Sequence, residues 1–271
     1  MMNAIHYEMA PDGVSIRAQR GKEPRLAARV LPNHLNFSKI VPAIEYFNRG
    51  VKRGDTILVT GDRPRFAMMR TYPEDKLDPD LIKLGDGRIH LRCQALETWL
   101  DECDALEVVF HPGSTDYRLE FEAFPQLKIG LLVSQAQDWG LTARLEVANT
   151  GKDTFELELD FVYGGLRRCG RTDDAAYFQV DEADGANNQV SLGTESALIS
   201  ADNLQDAAAV ATFPRQPPQL AGGKVHFMHR LRLLPGEAQA LSLIVGRAPL
   251  GEDITAKILS ADPQGLIGEA G

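Results

Sequence analysis

The chain has 271 residues, of which 44% are hydrophobic, and its formal net charge is −9. This length suits one large all-β domain or two ordinary ones, and the apolar content suffices for a packed core. The acidic balance argues against a nucleic-acid partner, because phosphate binding needs clustered Lys and Arg, and it is compatible with a neutral ligand. No stretch approaches the ~20 apolar residues that a membrane-spanning helix needs, so no membrane partner is expected.

The cysteines and the N-terminus give no sign of a metal, a disulfide framework or a targeting signal. Cys93, Cys103 and Cys169 have no zinc-site spacing, and an odd number does not form a disulfide framework, so reduced, buried thiols are expected. No cofactor is expected either. Residues 1–18 contain three charged side chains and no apolar run, unlike a signal peptide. The expected location is therefore the cytoplasm, or the periplasm or exterior if a leader was removed.

Alternating apolar and polar residues, separated by turn signals, predict strands through the first half of the chain. Residues 33–53 are expected to form a loop with one helical turn at most, because Pro42 interrupts their apolar spacing, and residues 72–87 a surface loop. Residues 96–106 have helical spacing between strand-like flanks, and their type is left open. The predicted strands lie within 3–30 and at Thr56–Thr60, Phe66–Thr71, Arg88–Ala95, Leu106–Phe110, Tyr117–Phe124 and Leu127–Val133.

The segment WGLTARLEVANTGKDTFELELDFVYGG, residues 139–165, has the clearest pattern in the chain. Apolar residues alternate with polar ones from 141 to 147 and again from 155 to 163, which indicates two strands that each bury one face. The joining residues, 149–153, favour turn conformations. The sequence therefore predicts a β-hairpin here, with Leu157 and Phe161 on its buried face.

The second half repeats the strand-and-turn pattern and ends in a helix. About fifteen or more strands, spaced by roughly 8–12 residues, indicate a β-sandwich rather than alternating strands and helices. A helix is predicted over Glu252–Ala261, with Ile254 and Ile258 on one face and Pro263 beyond its end. The predicted strands are Tyr177–Val180, Gln189–Leu192, Ser196–Ser200, Ala208–Phe213, Val225–Leu233 and Ala240–Val245, the last two joined as a hairpin through Pro235–Glu237.

Three segments together resemble a known family: LEVANTGKDTFELELDF, FHPGSTDYRLEF and LRLLPGEAQALSLIVG. The pattern is similar to the N-terminal β-supersandwich domains of bacterial glycoside hydrolases and phosphorylases, whose fold is shared with galactose mutarotase. The resemblance covers about residues 50–250. It implies an all-β, antiparallel, galactose mutarotase-like supersandwich over 1–250, and it implies that 251–271 begin a linker helix to a helical catalytic barrel.

The resemblance also implies a function. The catalytic carboxylates of such enzymes lie on the barrel, so this chain would be a non-catalytic domain whose partners are carbohydrate and the helical catalytic domain of the same parent chain. The apolar face of the C-terminal segment, Ile254–Leu266, would then be exposed without that partner. Two alternatives stay open: a free-standing mutarotase-like sugar epimerase and a stand-alone carbohydrate-binding module.

Five residues are candidates for carbohydrate contacts, and none is assigned a catalytic role. Asp138 and Trp139 could bond hydroxyls and stack on a sugar ring, although a Trp at this position also suits packing over a sheet edge. Tyr163 with Arg167 and Arg171 could clamp a sugar or a partner domain. The arginines could equally form surface ion pairs with the acids that follow them.

The histidines offer weaker candidates. His226 and His229 are three residues apart on a predicted strand and so point to opposite faces, which is a poor metal geometry. His229 lies on the apolar face and is expected in the core, and His111 precedes a turn and is expected to be structural. A mutarotase needs two histidines and a carboxylate, for which His111, His226 and Glu237 can be nominated.

Overall fold

A computed structural model shows a chain built almost entirely of antiparallel strands. It describes residues 6–10, 13–19, 34–35, 49–53, 56–61, 63–71, 81–94, 96–111, 113–136, 138–171, 178–180, 188–202 and 204–268. In this part of the chain no helix is long and apolar enough to cross a membrane.

The strands follow the alternation of the sequence closely. The first ten are β1 His6–Ala10, β2 Gly13–Gln19, β3 His34–Leu35, β4 Arg49–Arg53, β5 Thr56–Thr60, β6 Phe66–Thr71, β7 Leu81–Cys93, β8 Leu96–Trp99, β9 Ala105–Phe110 and β10 Ser114–Glu120. The rest are β11 Leu127–Ala136, β12 Gly140–Asn149, β13 Phe155–Arg171, β14 Phe178–Val180, β15 Asn188–Leu192, β16 Ser196–Ala201, β17 Asp206–Phe213, β18 Gln219–Ala221, β19 Lys224–Leu233 and β20 Ala238–Pro249.

Two ten-stranded sheets contain all these strands. Sheet A has the order β1-β2-β9-β10-β11-β12-β20-β17-β16-β15. Sheet B has the order β18-β19-β13-β7-β6-β5-β4-β3, with β14 paired to β13 and β8 paired to β7. Their inward side chains form one continuous apolar core, which includes Leu145, Leu157, Phe161 and Phe227. The prediction that Leu157 and Phe161 are buried is confirmed.

The predicted hairpin over residues 139–165 is wrong in its pairing. Both strands form, but β12 pairs with β11 and β20 in sheet A, whereas β13 pairs with β7 and β19 in sheet B. The residues between them cross from one sheet to the other. The Pro235–Glu237 turn makes a second crossing, because β19 belongs to sheet B and β20 to sheet A. A strand that buries one face has the same alternation in a hairpin as in such a crossing.

Asn149 holds the two crossings together. Its backbone N–H donates to the carbonyl of Glu237 at 2.9 Å, and its carbonyl accepts from the N–H of Gly236 at 2.9 Å. Its side-chain amide donates to the carbonyls of Asp153 at 2.7 Å and Leu233 at 3.1 Å. The Asn of the turn therefore ties the sheets together instead of closing a hairpin.

Some predicted elements differ in extent. The loop predicted over residues 72–87 is shorter, since β7 begins at Leu81. The ambiguous stretch 96–106 divides into β8, a 3₁₀ turn over Leu100–Glu102 and the start of β9. Most of residues 20–48 and of 172–187 lie outside the described residues.

Two short helices end the described chain, α1 Ile254–Ser260 and α2 Pro263–Gly268. Asp253 caps α1 by accepting from the N–H of Ala256 at 3.0 Å. The expectation that Ile254–Leu266 expose their apolar face is wrong, because Ile254, Ile258 and Leu266 are buried on the outer face of sheet A. The small residues Ala209, Ala211 and Gly246 on that face leave room for the helices.

Candidate functional site: the polar face of sheet B

The outward side chains of the central strands of sheet B form a charged surface. Leu157, Leu159 and Phe161 of β13 point into the core, so the intervening acids point outward. The same alternation applies to β7 and β19. We call this surface the polar face; it consists of Asp86, Arg88, His90, Arg92, Glu97, Trp99, Glu156, Glu158, Asp160, Lys224, His226, Arg230 and Arg232.

Strand register arranges one end of the polar face into a ladder of opposite charges. Glu158 lies opposite Arg92 on one side and Arg230 on the other. Its carboxylate accepts from Arg92 at 3.0 Å and from Arg230 at 3.1 Å, and Arg92 also pairs with Glu97 at 3.0 Å. Arg92, Glu158 and Arg230 border a shallow depression of about 510 Å³. Exposed pairs of this kind add little stability, but they present many hydrogen-bonding groups on one surface.

Asp160 occupies the centre of the polar face and is only 9% exposed. Its Oδ2 lies 2.7 Å from Nδ1 of His226, whose Nε2 lies 3.2 Å from the carbonyl oxygen of Ala221. The other carboxylate oxygen, Oδ1, is buried and has no hydrogen-bond partner among the described residues. Buried polar atoms almost always have a partner, so this oxygen is a candidate acceptor for a ligand donor.

His90 and Arg88 border Asp160 on β7. His90 lies directly opposite Asp160 in the register, and its ring centroid is 5.0 Å from that of Trp99 in an edge-on arrangement. The guanidinium carbon of Arg88 lies 4.0 Å from the Trp99 ring centroid, and its Nε donates to the buried Asp101 at 2.7 Å. Trp99 and Asp101 therefore hold Arg88 in one orientation.

Lys83, Asp86 and Lys224 lie at the other end of the polar face. Asp86 pairs with Lys83 at 3.1 Å and with Lys224 at 3.4 Å. Burial acts to raise the pKa of Asp86, but the two ammonium groups outweigh it and hold this pKa below its usual value. Lys83 is buried, and its backbone lies opposite that of Arg167 in the register.

The candidate residues Tyr163, Arg167 and Arg171 lie in two places, the core and the end of β13. Tyr163 is fully buried, and its hydroxyl donates to the carbonyl of Leu84 at 3.2 Å. Burial, with the charge of Asp86, raises its pKa well above the usual value. Arg167 and Arg171 lie on β13, where Arg171 pairs with Phe178; their side chains lie outside what the structure describes.

Trp139 and Asp138 lie at sheet A, apart from the polar face. Trp139 is 6% exposed and packs with Ile254 and Ile258 under α1, and the ammonium of Lys257 lies 4.6 Å from its ring centroid. Asp138 is exposed, and its carbonyl accepts from the hydroxyl of Thr56 at 2.5 Å. That these two residues, Tyr163, Arg167 and Arg171 contact carbohydrate stays a prediction.

The nominated mutarotase residues His111, His226 and Glu237 occupy three different places. His111 forms the β9–β10 turn with Ser114, and Glu237 lies in the second crossing, where the N–H of Leu234 donates to its carboxylate at 2.9 Å and lowers its pKa. The core position predicted for His229 is confirmed: it is 2% exposed and packs edge-on against Phe161.

The sequence pattern could not identify His90 and Asp160 as neighbours of His226. Each appears there only as a polar residue of an alternating strand, and the three strands that carry them are far apart in the chain. Their placement on one face depends on the register β7–β13–β19, in which β13 pairs with two distant strands rather than with its predecessor. The one available signal was a run of charged outward positions in each of three strands.

The arrangement suits a neutral, hydroxyl-bearing ligand and proton transfer. Asp160 offers a buried acceptor, Arg88 and His90 offer donors, and the charges of the ladder are internally paired. Imidazole and carboxylate groups in contact are also the usual partners in acid–base chemistry. Within the described part of the chain, no group of three or more His, Cys, Asp or Glu residues could hold a metal ion.

No protein-family model and no curated protein matches the chain. Solved structures do. A protein described as a kojibiose phosphorylase from the human microbiome has 10% sequence identity and a TM-score of 0.53, and the match covers 99% of this chain and 37% of that one. This chain thus spans well under two thirds of the phosphorylase.

In two further similar structures the match covers nearly all of the other chain. A galactose mutarotase-like protein from Lactobacillus casei ATCC 334 has 10% identity and a TM-score of 0.43, with 73% of this chain and 99% of that one covered. A protein described as an aldose 1-epimerase from Escherichia coli K12 has 14% identity and a TM-score of 0.43, with 74% and 98% covered. The all-β, galactose mutarotase-like supersandwich predicted from the sequence, of the kind found in glycoside phosphorylases, is confirmed at the level of fold.

Proposed function

We propose that this chain is a non-catalytic β-supersandwich domain of a carbohydrate-active enzyme of the glycoside hydrolase or phosphorylase type. In this role it packs against a helical catalytic domain of the same parent chain and shapes the substrate pocket. The observation that supports the proposal best is the match that covers 99% of this chain but only 37% of the phosphorylase. In this proposal residues 251–271 begin the linker to the catalytic domain.

The carbohydrate-contacting surface in this proposal is the polar face, extended by Arg167 and Arg171 at the end of β13. Sugars bind through many hydrogen bonds to oriented polar groups. The partner-free Oδ1 of Asp160 and the fixed guanidinium of Arg88 meet that need. Because the acidic chain repels anions at long range, a neutral sugar suits it better than a sugar phosphate.

The first test separates binding from catalysis. The purified chain should not hydrolyse or phosphorolyse a panel of aryl glycosides and glucosyl disaccharides. Titration calorimetry with the same disaccharides should show binding that Asp160→Asn and Arg88→Gln each weaken by at least about tenfold, while Arg118→Gln, on the outer face of sheet A, leaves it unchanged. Turnover that survives repurification and disappears on mutation of one acid would refute the non-catalytic assignment.

One observation favours a second candidate, a sugar epimerase. His226 and His90 flank Asp160 on one surface, so an acid and a base lie within reach of one small ligand. Anomer exchange needs a base that takes the proton of the anomeric hydroxyl and an acid that protonates the ring oxygen. The bond from the anomeric carbon to the ring oxygen then breaks. The reverse steps close the ring as the other anomer.

Polarimetry of freshly dissolved α-glucose and α-galactose tests this candidate. An epimerase would accelerate the approach to equilibrium well beyond the buffer rate, His226→Gln and Asp160→Asn would each remove most of the acceleration, and Arg118→Gln would retain it. A rate equal to that of buffer would exclude the epimerase, and disaccharide binding at the polar face would then favour a non-catalytic carbohydrate-binding role.

A further inference from the structure

The edge strand β18 is fastened to the polar face by one imidazole. β18 comprises Gln219–Ala221, whose residues are all exposed, and it pairs only with β19 among the described strands. The connection to β19 is Gly222 and Gly223, which have φ values of +56° and +72° and nothing within 4 Å of an added Cβ. Side-chain contacts therefore contribute little to holding β18 itself in place, whereas Lys224 of β19 pairs with Asp86.

The bonds of His226 require protons on both ring nitrogens. The carbonyl oxygen of Ala221 can only accept, so the contact at 3.2 Å needs a proton on Nε2. The contact at 2.7 Å with Asp160 needs a second proton, on Nδ1 if Asp160 is a carboxylate. Both bonds form together when the ring is an imidazolium, and the bond to the carboxylate is then charge-assisted.

Loss of one proton removes one of the two bonds. A neutral imidazole keeps its proton on the side of the stronger acceptor, which is the carboxylate of Asp160. Nε2 then presents a lone pair to the lone pairs of the Ala221 carbonyl. We propose that His226 is a proton-sensitive latch that holds the edge strand β18 onto β19 when doubly protonated and releases it when neutral.

Charges from every neighbouring element act on this latch. On β13, Asp160 lies against the ring. On β19, Lys224 carries a positive charge two residues before it, while β18 and the nearby β15 carry no titratable residue. The facing groups of β7 are Asp86, Arg88 and His90, of which Arg88 lies in the same row as His226, across Val162. The inference is independent of the proposed carbohydrate role, since it concerns only protons and the hairpin.

Two variants of the 271-residue chain separate the effect of the latch from ordinary hairpin stability. In Asp160→Asn the side-chain amide donates to Nδ1 of a neutral ring, which leaves the proton on Nε2 for Ala221, so the latch closes without titration. In His226→Gln no group titrates and the bridge is lost. Asp160→Asn is expected to keep the hairpin amides protected from hydrogen exchange at all pH values. His226→Gln is expected to leave them unprotected at all pH values.

Amide hydrogen exchange of residues 219–226, corrected for intrinsic rates and measured at about pH 5.5 and about pH 9, makes the test. In the unmodified chain the protection factors should fall by at least about tenfold at the higher pH, while those of β11 and β12 stay constant. Protection that changes by less than about twofold, or an Asp160→Asn chain that loses protection as the unmodified chain does, overturns the proposal. If Asp160→Asn does not fold, the comparison of His226→Gln with the unmodified chain decides. Protection factors that depend on pH only in the unmodified chain support the proposal, and an equal pH dependence in both chains overturns it.

Discussion

The two sheets differ in the side chains that their strands point outward. Part of the outer face of sheet A presents small or apolar residues, and α1 and α2 cover that part, whereas Arg118 and Lys128 lie exposed elsewhere on the same face. Sheet B presents the charged polar face, over which the structure describes no helix. Apolar side chains point inward at every second position in both sheets. This alternation therefore predicts the core, but it does not predict which outer face is covered by helices. The outward positions decide whether a second layer packs on a sheet.

The largest expected effect tests whether α1 is a true part of the apolar core. Ile258→Ala should lower the free energy of unfolding by ~2–5 kcal/mol, as large-to-small changes at buried sites do, since Ile258 has 0% exposure. Leu157→Ala, between the sheets, should have a cost in the same range. Urea denaturation of both variants and of Arg118→Ala, whose side chain is 68% exposed, measures this. An Ile258→Ala variant as stable as Arg118→Ala would mean that the helices are only loosely attached.

The sequence predicted the strands better than their partners. Short apolar runs separated by a turn signal identified β5 and β6 at their observed bounds, and residues 66–69 of β6 are buried on both faces of the strand. Period-two alternation predicted hairpins where the chain crosses between sheets, since burying one face does not tell which sheet contains the next strand. Asn149 illustrates the limit: it suits a tight turn, but its amide bonds two crossings instead.

The candidate site was less accessible to prediction than the fold. His226 was considered, but its partner Asp160 lies 66 residues away, and only the register of sheet B brings this pair and His90 onto one face. The helix over residues 254–260 was predicted from its periodicity. Its docking was not, because Trp139, Gly246 and the alanines beneath it become one surface only in the folded sheet.

The second prediction compares the two histidines of β19. Burial lowers the pKa of His229 to about 4, although the negative charge of Asp160 acts in the opposite direction. The unfolded chain, with a histidine pKa near ~6.5, then binds this proton more readily than the folded chain does. Stability from this site is complete above about pH 7 and falls as the pH drops toward about 4, by roughly 2–3 kcal/mol.

Urea denaturation at intervals between about pH 7.5 and pH 4 measures that loss. His229→Leu should flatten the curve over this window by removing the buried base, whereas Cys103, whose pKa is raised to about 12 by burial and by the charges of Asp101 and Asp104, does not titrate there. A curve for His229→Leu as steep as that of the unmodified chain would assign the acid sensitivity to carboxylates instead.

The third prediction tests the fit of α1 on sheet A. A Cβ added at Gly246 would lie 2.6 Å from Cγ2 of Ile258 and 3.0 Å from the Trp139 ring. Gly246→Ala should therefore cost ~1–3 kcal/mol through overpacking. The double variant with Ile258→Ala lacks the clash with Cγ2 of Ile258. Its loss of unfolding free energy should therefore be smaller than the sum of the losses in the two single variants. Strict additivity, measured by urea denaturation, would show that α1 does not press on Gly246.

The smallest expected effect lies on the polar face, at Glu158. Its carboxylate is 21% exposed and accepts from Arg92 at 3.0 Å and from Arg230 at 3.1 Å. The alternation alone predicts a surface position with a cost below ~0.5 kcal/mol on truncation, but the two ion pairs raise the expected cost of Glu158→Ala to about 0.5–1 kcal/mol.

Removing the carboxylate leaves two guanidinium groups facing each other across β13. The cost should therefore shrink as salt rises from about 0.05 M to about 1 M, because the Debye length falls from over ~10 Å to about 3 Å. Glu156→Ala, at the neighbouring outward position of the same strand, is the matched control. A Glu158→Ala cost that does not change with salt would mean that the ladder contributes through packing rather than through charge.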